Sequence, residues 1–139
     1  MKKYTKMKTL NDLKYFLPIW VWAIVLFHIG IAGIFGSIAV LNATSSYSEP
    51  EIVHRVIQYG GRNAAMAIAL AFAVFYFRTH SATLVALLAR NIAVIGDLGS
   101  GIANSRNNVT LDSVVIIATM IAIVYLWQSA RGERRSSEH

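Results

Sequence analysis

Four apolar runs divide this chain: Leu17–Leu41, roughly Ile52–Phe77, Ala82–Ala103 and Leu111–Gln128. Each is near the ~20 residues with which an α-helix crosses the hydrocarbon core of a bilayer. A soluble four-helix bundle would carry a polar stripe at the helical period, and the run ATLVALLARNIAVIG (Ala82–Gly96) has almost none. The 139 residues amount to one domain, and 55% hydrophobic with 14% charged residues is too apolar for an ordinary soluble one. The expected fold is therefore all-α: an integral membrane four-helix bundle over residues 17–128. A basic N-terminal segment (1–16) precedes it and a basic tail (129–139) follows.

Lysine and arginine set the expected orientation. Lys2, Lys3, Lys6, Lys8 and Lys14 precede span one, Arg78 lies between spans two and three, and Arg131, Arg134 and Arg135 follow span four. All fall on one side, so the positive-inside rule puts both termini in the cytoplasm, most simply of a cell (inner) membrane. The N-terminus resembles the basic region of a signal peptide. The apolar run after it is longer than a signal core of roughly 7–15 residues, so a retained span is expected. Anionic headgroups beside the cytoplasmic ends account for the net charge of +6, and membrane lipids are the expected partners, with no nucleic acid. The chain has no cysteine, which excludes disulfides, thiolate metal sites and thiol catalysis.

Short connections predict antiparallel neighbours. Arg78–Ser81 closes a helical hairpin between spans two and three, and Ser105–Asn108 another between spans three and four. Ser48-Glu49-Pro50-Glu51 has a capping-box pattern, predicting a helix start with Ser48 as the cap. Gly60-Gly61 predicts a bend or a close helix contact. Tyr15, Phe16, Trp20, Trp22, Tyr76, Phe77, Tyr125 and Trp127 share the cytoplasmic half, as an interfacial belt would.

The polar residues within the spans raise the functional question. Span three carries Arg90 near its middle and Asp97 seven residues on, roughly 10 Å further out and too far to pair directly. Span two runs the other way and puts Arg62 at the depth of Asp97, as its natural partner. A charge within a bilayer costs about 2.5–3.5 kcal/mol on insertion scales, so both charges on span three should face the bundle interior. His28 lies at a depth close to Arg90, and Asn63 and Asn91 follow the two arginines. Span four, whose run VVIIATMIAIVYL (Val114–Leu126) has only Thr119 as a weakly polar interruption, is expected to contribute little and to be the most lipid-exposed. The candidate cluster is His28, Arg62, Asn63, Arg90, Asn91 and Asp97, either structural glue or a ligand site towards the outer leaflet. Gly30, Gly33, Gly36, Gly60, Gly61, Gly96 and Gly99 fall in the same outer half and are expected to close-pack the helices.

Catalytic and cofactor motifs are weak. GDLGSG (Gly96–Gly101) sits at a span end without the strand that a nucleotide fingerprint needs, and no second histidine matches His28 in depth, so neither a cofactor nor a metal is expected. Asn42-Ala43-Thr44 and Asn108-Val109-Thr110 are glycosylation acceptor patterns that matter only in a eukaryotic secretory pathway. Taken together, the glycine-rich first span, Gly60-Gly61-Arg62-Asn63 opening span two, and Arg90 with Asp97 in span three resemble the small DoxX-like four-span membrane proteins. That resemblance covers most of Pro18–Trp127 and implies a four-helix membrane bundle without an assigned reaction. The expected function is non-enzymatic: an accessory or ligand- and lipid-binding membrane protein, possible also as a homo-oligomer or with a membrane protein partner. Two alternatives stand beside it. A homodimeric proton-coupled transporter would carry a glutamate in span one, where this chain has His28. A membrane enzyme on a lipid-like substrate would use His28 and Asp97, whose depths differ.

Overall fold

A computed structural model describes residues 16–103 and 109–136. Among these residues there is no strand, and four long helices account for nearly all of the backbone. They are α1 (Ile19–Ser46), α2 (Pro50–Phe77), α3 (His80–Ala103) and α4 (Val109–Ser136). Each contains a stretch long and apolar enough to cross a membrane. The basic N-terminal segment and the Ser105–Asn108 turn lie outside the described residues.

Local chemistry sets the boundaries. Pro18 stands in extended conformation before α1, and its carbonyl accepts the Trp22 N–H at 3.0 Å. Three residues, Tyr47–Glu49, join α1 to α2. The capping box does not form there. Pro50 occupies the first turn of α2, where a missing N–H costs nothing, and Glu49 makes no side-chain cap. The Glu51 carboxylate turns along the helix to Arg55 instead of back to the cap. Between α2 and α3, Arg78 adopts the left-handed conformation (φ 52°) that reverses the chain, and its Nε donates to the Phe75 carbonyl at 2.8 Å. Thr79 caps α3, its hydroxyl accepting the Ala82 N–H at 3.1 Å. At the other end α4 continues through Arg131 to Ser136, so the expected tail is largely helix.

Consecutive helices are antiparallel. The two short links force this for α1–α2 and α2–α3. Five residues between α3 and α4 reach about 20 Å at most, too little to return along a 24-residue helix of about 36 Å. α1 packs along α2 and α3 along α4, while α2 meets α3 and the first part of α1 meets α4 to close the ring. Two segments, His28–Phe35 in α1 and Phe72–Phe77 in α2, wind more widely, with i→i+5 hydrogen bonds. Such winding turns less per residue. It offsets the drift that four-residue steps build up in an α-helix and holds His28, Ala32 and Gly36 inward.

The interior has two tiers. Towards the chain termini, Leu17, Val21, Val25, Leu70, Val74, Leu87, Ala122, Ile123 and Leu126 form an apolar core. Aromatic contacts fasten this end, with Trp20 edge-on to Tyr125 (5.4 Å) and Trp22 against Phe75 (5.9 Å). Towards Pro50 the helices meet through small and polar residues. There α1 and α2 touch at backbone level: a Cβ on Gly36 or on Gly60 would lie 2.7 Å from the other residue's carbonyl oxygen, and one on Gly33 would lie 3.1 Å from the Ala67 Cβ. The expectation of seven close-packing glycines is corrected to these three. Gly30, Gly61, Gly96 and Gly99 have open space where a Cβ would stand, because they lie off the contact line between helices.

Outward faces are apolar. Val85, Leu88, Ile92 and Ile95 make one exposed stripe on α3, and Val114, Ile117, Ile121 and Val124 another on α4. The expected special exposure of α4 does not stand out: the buried share of its most apolar window, 28%, equals that of α2.

The glycine contact yields a contrast between neighbours in sequence. Gly60→Ala should lower stability by about 1–3 kcal/mol, since backbone cannot move aside as a flexible side chain can. Gly61→Ala should be neutral or stabilising, by up to ~1 kcal/mol of helix propensity. Reversible unfolding in mixed detergent measures both; equal losses would contradict the packing described.

Candidate functional site

On α3 the inward positions are Thr83, Leu87, Arg90, Asn91 and Val94, a mixed polar face set against the apolar stripe outside. The turns of this helix put Arg90 and Asp97, seven residues apart, on one side. Across from them α2 presents Arg62 and Asn63. The Arg62 Nη2 donates to Asp97 Oδ1 at 2.5 Å, and the Arg90 Nη1 donates to Asn63 Oδ1 at 2.8 Å. Arg62 and Asn63 are adjacent, whereas their partners stand two turns apart on α3. The Arg90 side chain therefore extends towards the Pro50 end, and its charge sits above its own backbone position, beside the Arg62–Asp97 pair.

Exposure is graded through this cluster. Arg62 and Asp97 side chains are 37% and 31% exposed, while Arg90 is 9% exposed and Asn91 1%. The Tyr59 ring covers Arg62, 4.9 Å from the guanidinium carbon. Gln58, Tyr59 and Arg62 line an open recess of about 320 Å³ beside the pair. Arg62 thus stands between this opening and the buried groups.

His28 is held separately. Its Nε2 lies 2.8 Å from the Thr119 hydroxyl, which itself donates to the Val115 carbonyl at 2.6 Å. With the hydroxyl proton committed to that carbonyl, Nε2 is the donor and Thr119 the acceptor. Thr119 is fully buried, and span four is no bystander: this hydroxyl is the partner of the one histidine inside α1. The signal was present in the sequence as a hydroxyl at matching depth, masked by threonine's tolerance of apolar surroundings. The six residues named from sequence thus fall into an Arg62–Asp97 pair, an Arg90–Asn63 pair, His28 with Thr119, and Asn91.

Among the described residues four buried side-chain polar atoms have no hydrogen-bond partner: Arg62 Nε, Arg90 Nε, and both Oδ1 and Nδ2 of Asn91. An amide buried without partners costs about 1–3 kcal/mol for each lost bond, and natural proteins keep such groups where water, an ion or a ligand meets them. Donors outnumber acceptors three to one here. Charge leans the same way, with two guanidiniums against one carboxylate. The arrangement is chemically fitted to accept an acceptor-rich, negatively charged group. Among the described residues no group of three His, Asp or Glu side chains could hold a metal ion. No family model, curated protein or solved structure matches the chain.

Two interactions can be separated by mutation. Arg62→Leu and Asp97→Leu should each destabilise, and together they should recover part of the loss. A coupling of about 1–3 kcal/mol is expected, below the ~3–5 kcal/mol of a fully buried pair because both side chains are a third exposed. Thr119→Val should cost about 1–3 kcal/mol by leaving the His28 N–H unmet, while Thr119→Ser should be milder. Additive effects at positions 62 and 97, in a double-mutant cycle followed by thermal unfolding, would show that the pair is energetically idle.

Proposed function

We propose that this chain is a multi-pass membrane protein, both termini cytoplasmic, that binds an anionic group of a ligand or lipid through the Arg62, Asn63, Arg90, Asn91 and Asp97 cluster in the outer half of the bilayer. Apolar stripes outside and polar side chains within support the membrane reading, since they invert the amphipathicity of a soluble bundle. The lysines and arginines gathered at the end where the chain starts and stops support the orientation. Polytopic proteins of a cell (inner) membrane fit this pattern, as does the four-span architecture that the DoxX-like resemblance implies.

One observation carries the binding reading. Arg90 is buried against a neutral amide, Asn63, while the nearby carboxylate, Asp97, is engaged by Arg62. A guanidinium cannot shed its charge, so an anion completes the cluster better than any group of the chain around it. The same contacts argue for a non-enzymatic role. His28 is engaged by Thr119 and Asp97 by Arg62, so these two candidates for acid and base do not face one another.

Two measurements test this. The chain has no native cysteine, so single cysteines report topology cleanly. Cysteine at Ser46 should label with an impermeant maleimide in intact cells, and cysteine at Thr79 should not; the reverse would overturn the orientation. Native mass spectrometry from mild detergent should find an anionic lipid or small anion retained on the wild type and lost from a folded Arg90→Gln variant. Equal retention would remove Arg90 from the site.

A further inference from the structure

The net charge of the cluster points to the valence of what it binds. Arg62 and Arg90 bring two positive charges and Asp97 one negative, so a single negative charge makes the cluster neutral. We propose, building on the binding role above, that the site takes a monovalent oxyanion of the phosphodiester class, and that Asp97 is the residue that sets this valence. The orphan donors supply the geometry. Nε of Arg62 and Nε of Arg90 are both buried and unmatched, and Nε with a terminal nitrogen is the edge of a guanidinium that grips two oxygens of an oxyanion. Asn91, next to Arg90 in sequence and 1% exposed with neither amide atom satisfied, marks a further buried polar seat in the bundle. Such a seat suits a bound group or its water better than apolar packing.

The opening is the recess at Gln58, Tyr59 and Arg62. Arg62 is held there by one carboxylate oxygen and one ring face, both partly exposed contacts that an arriving oxyanion can replace. Asp97 then acts by charge rather than by contact. It stays beside the guanidiniums and withholds from them the second positive charge that a divalent group, such as a phosphomonoester, would need. In a poorly solvated site an unmatched charge is far more costly than in water, so valence is selected more strongly than size.

The test varies the charge of the cluster by near-isosteric changes. Full-length protein in neutral detergent is titrated at mildly alkaline pH with phosphatidylglycerol, a monovalent diester, and with phosphatidic acid, a monoester that is divalent there. Binding is read by native mass spectrometry and thermal shift. The wild type should prefer the diester by about tenfold or more. Asp97→Asn raises the cluster charge by one and should turn the preference towards the monoester. Arg62→Gln lowers it by one and should weaken both. Arg62→Gln with Asp97→Asn restores the wild-type charge and should restore the diester preference. Dimethyl phosphate and inorganic phosphate form a parallel soluble arm: the same order of preference there assigns the site to a soluble oxyanion, and stabilisation by the lipids alone assigns it to a headgroup, either result agreeing with a monovalent site. An Asp97→Asn protein that binds with the wild-type preference would overturn the valence rule and leave the binding role standing. A wild type that binds none of the four probes would overturn both. If Asp97→Asn does not fold, the charge-restored double variant decides, and loss of its diester preference refutes the proposal.

Discussion

A charge withdrawn from water must be met by another group, and the upper half of this bundle is organised around that demand. The Arg62–Asp97 contact meets it for two charges at once and ties α2 to α3. Arg90 then depends on the same place. Its guanidinium is drawn towards the Pro50 end by Asn63, next to Arg62 in sequence, so that three charged groups and an amide share one region instead of being spread through the helices. Away from this region α3 and α4 carry apolar stripes on their exposed faces.

The polar tier is possible because α1 and α2 come so close together. Gly36 and Gly60 let the two backbones approach to contact, and Gly33 meets Ala67 on the same line. Tight packing there closes one flank of the cluster without a bulky side chain that would compete for its space. The lower tier needs no such device, since Leu17, Leu70, Leu87 and Leu126 fill it by ordinary interdigitation. His28 and Thr119 stand where the tiers meet, and the wide helical turn that begins at His28 lets the polar ring and the small residues above it follow one another on the inward face.

This division of labour separates stability from chemistry. The apolar tier and its aromatic fastenings, Trp20 with Tyr125 and Trp22 with Phe75, belong to the end towards the chain termini. The unmatched Nε groups of Arg62 and Arg90 lie at the other end, where Arg62 also lines an opening and rearrangement is cheapest. A bundle built this way can change partners at Arg62 without disturbing the leucine core beneath it.

Much of the architecture was legible in the residues themselves. Apolar runs of spanning length, breaks at Pro50 and at Arg78-Thr79, and the depth relation of Arg62 to Asp97 all follow from helical rise and from the cost of an unpaired charge, which are local or one-dimensional rules. What depended on the tertiary structure was which face met which. Of the seven glycines expected to close-pack only Gly33, Gly36 and Gly60 meet a neighbouring helix, because rotation about the helix axis, and not position along it, decides contact. Thr119 became the partner of His28 only once the ring closed and brought the fourth helix against the first, 91 residues apart in sequence. The same applies to Asn91: one residue from Arg90, it is turned about 100° from it, and only the packed bundle determines that its amide is buried without a partner.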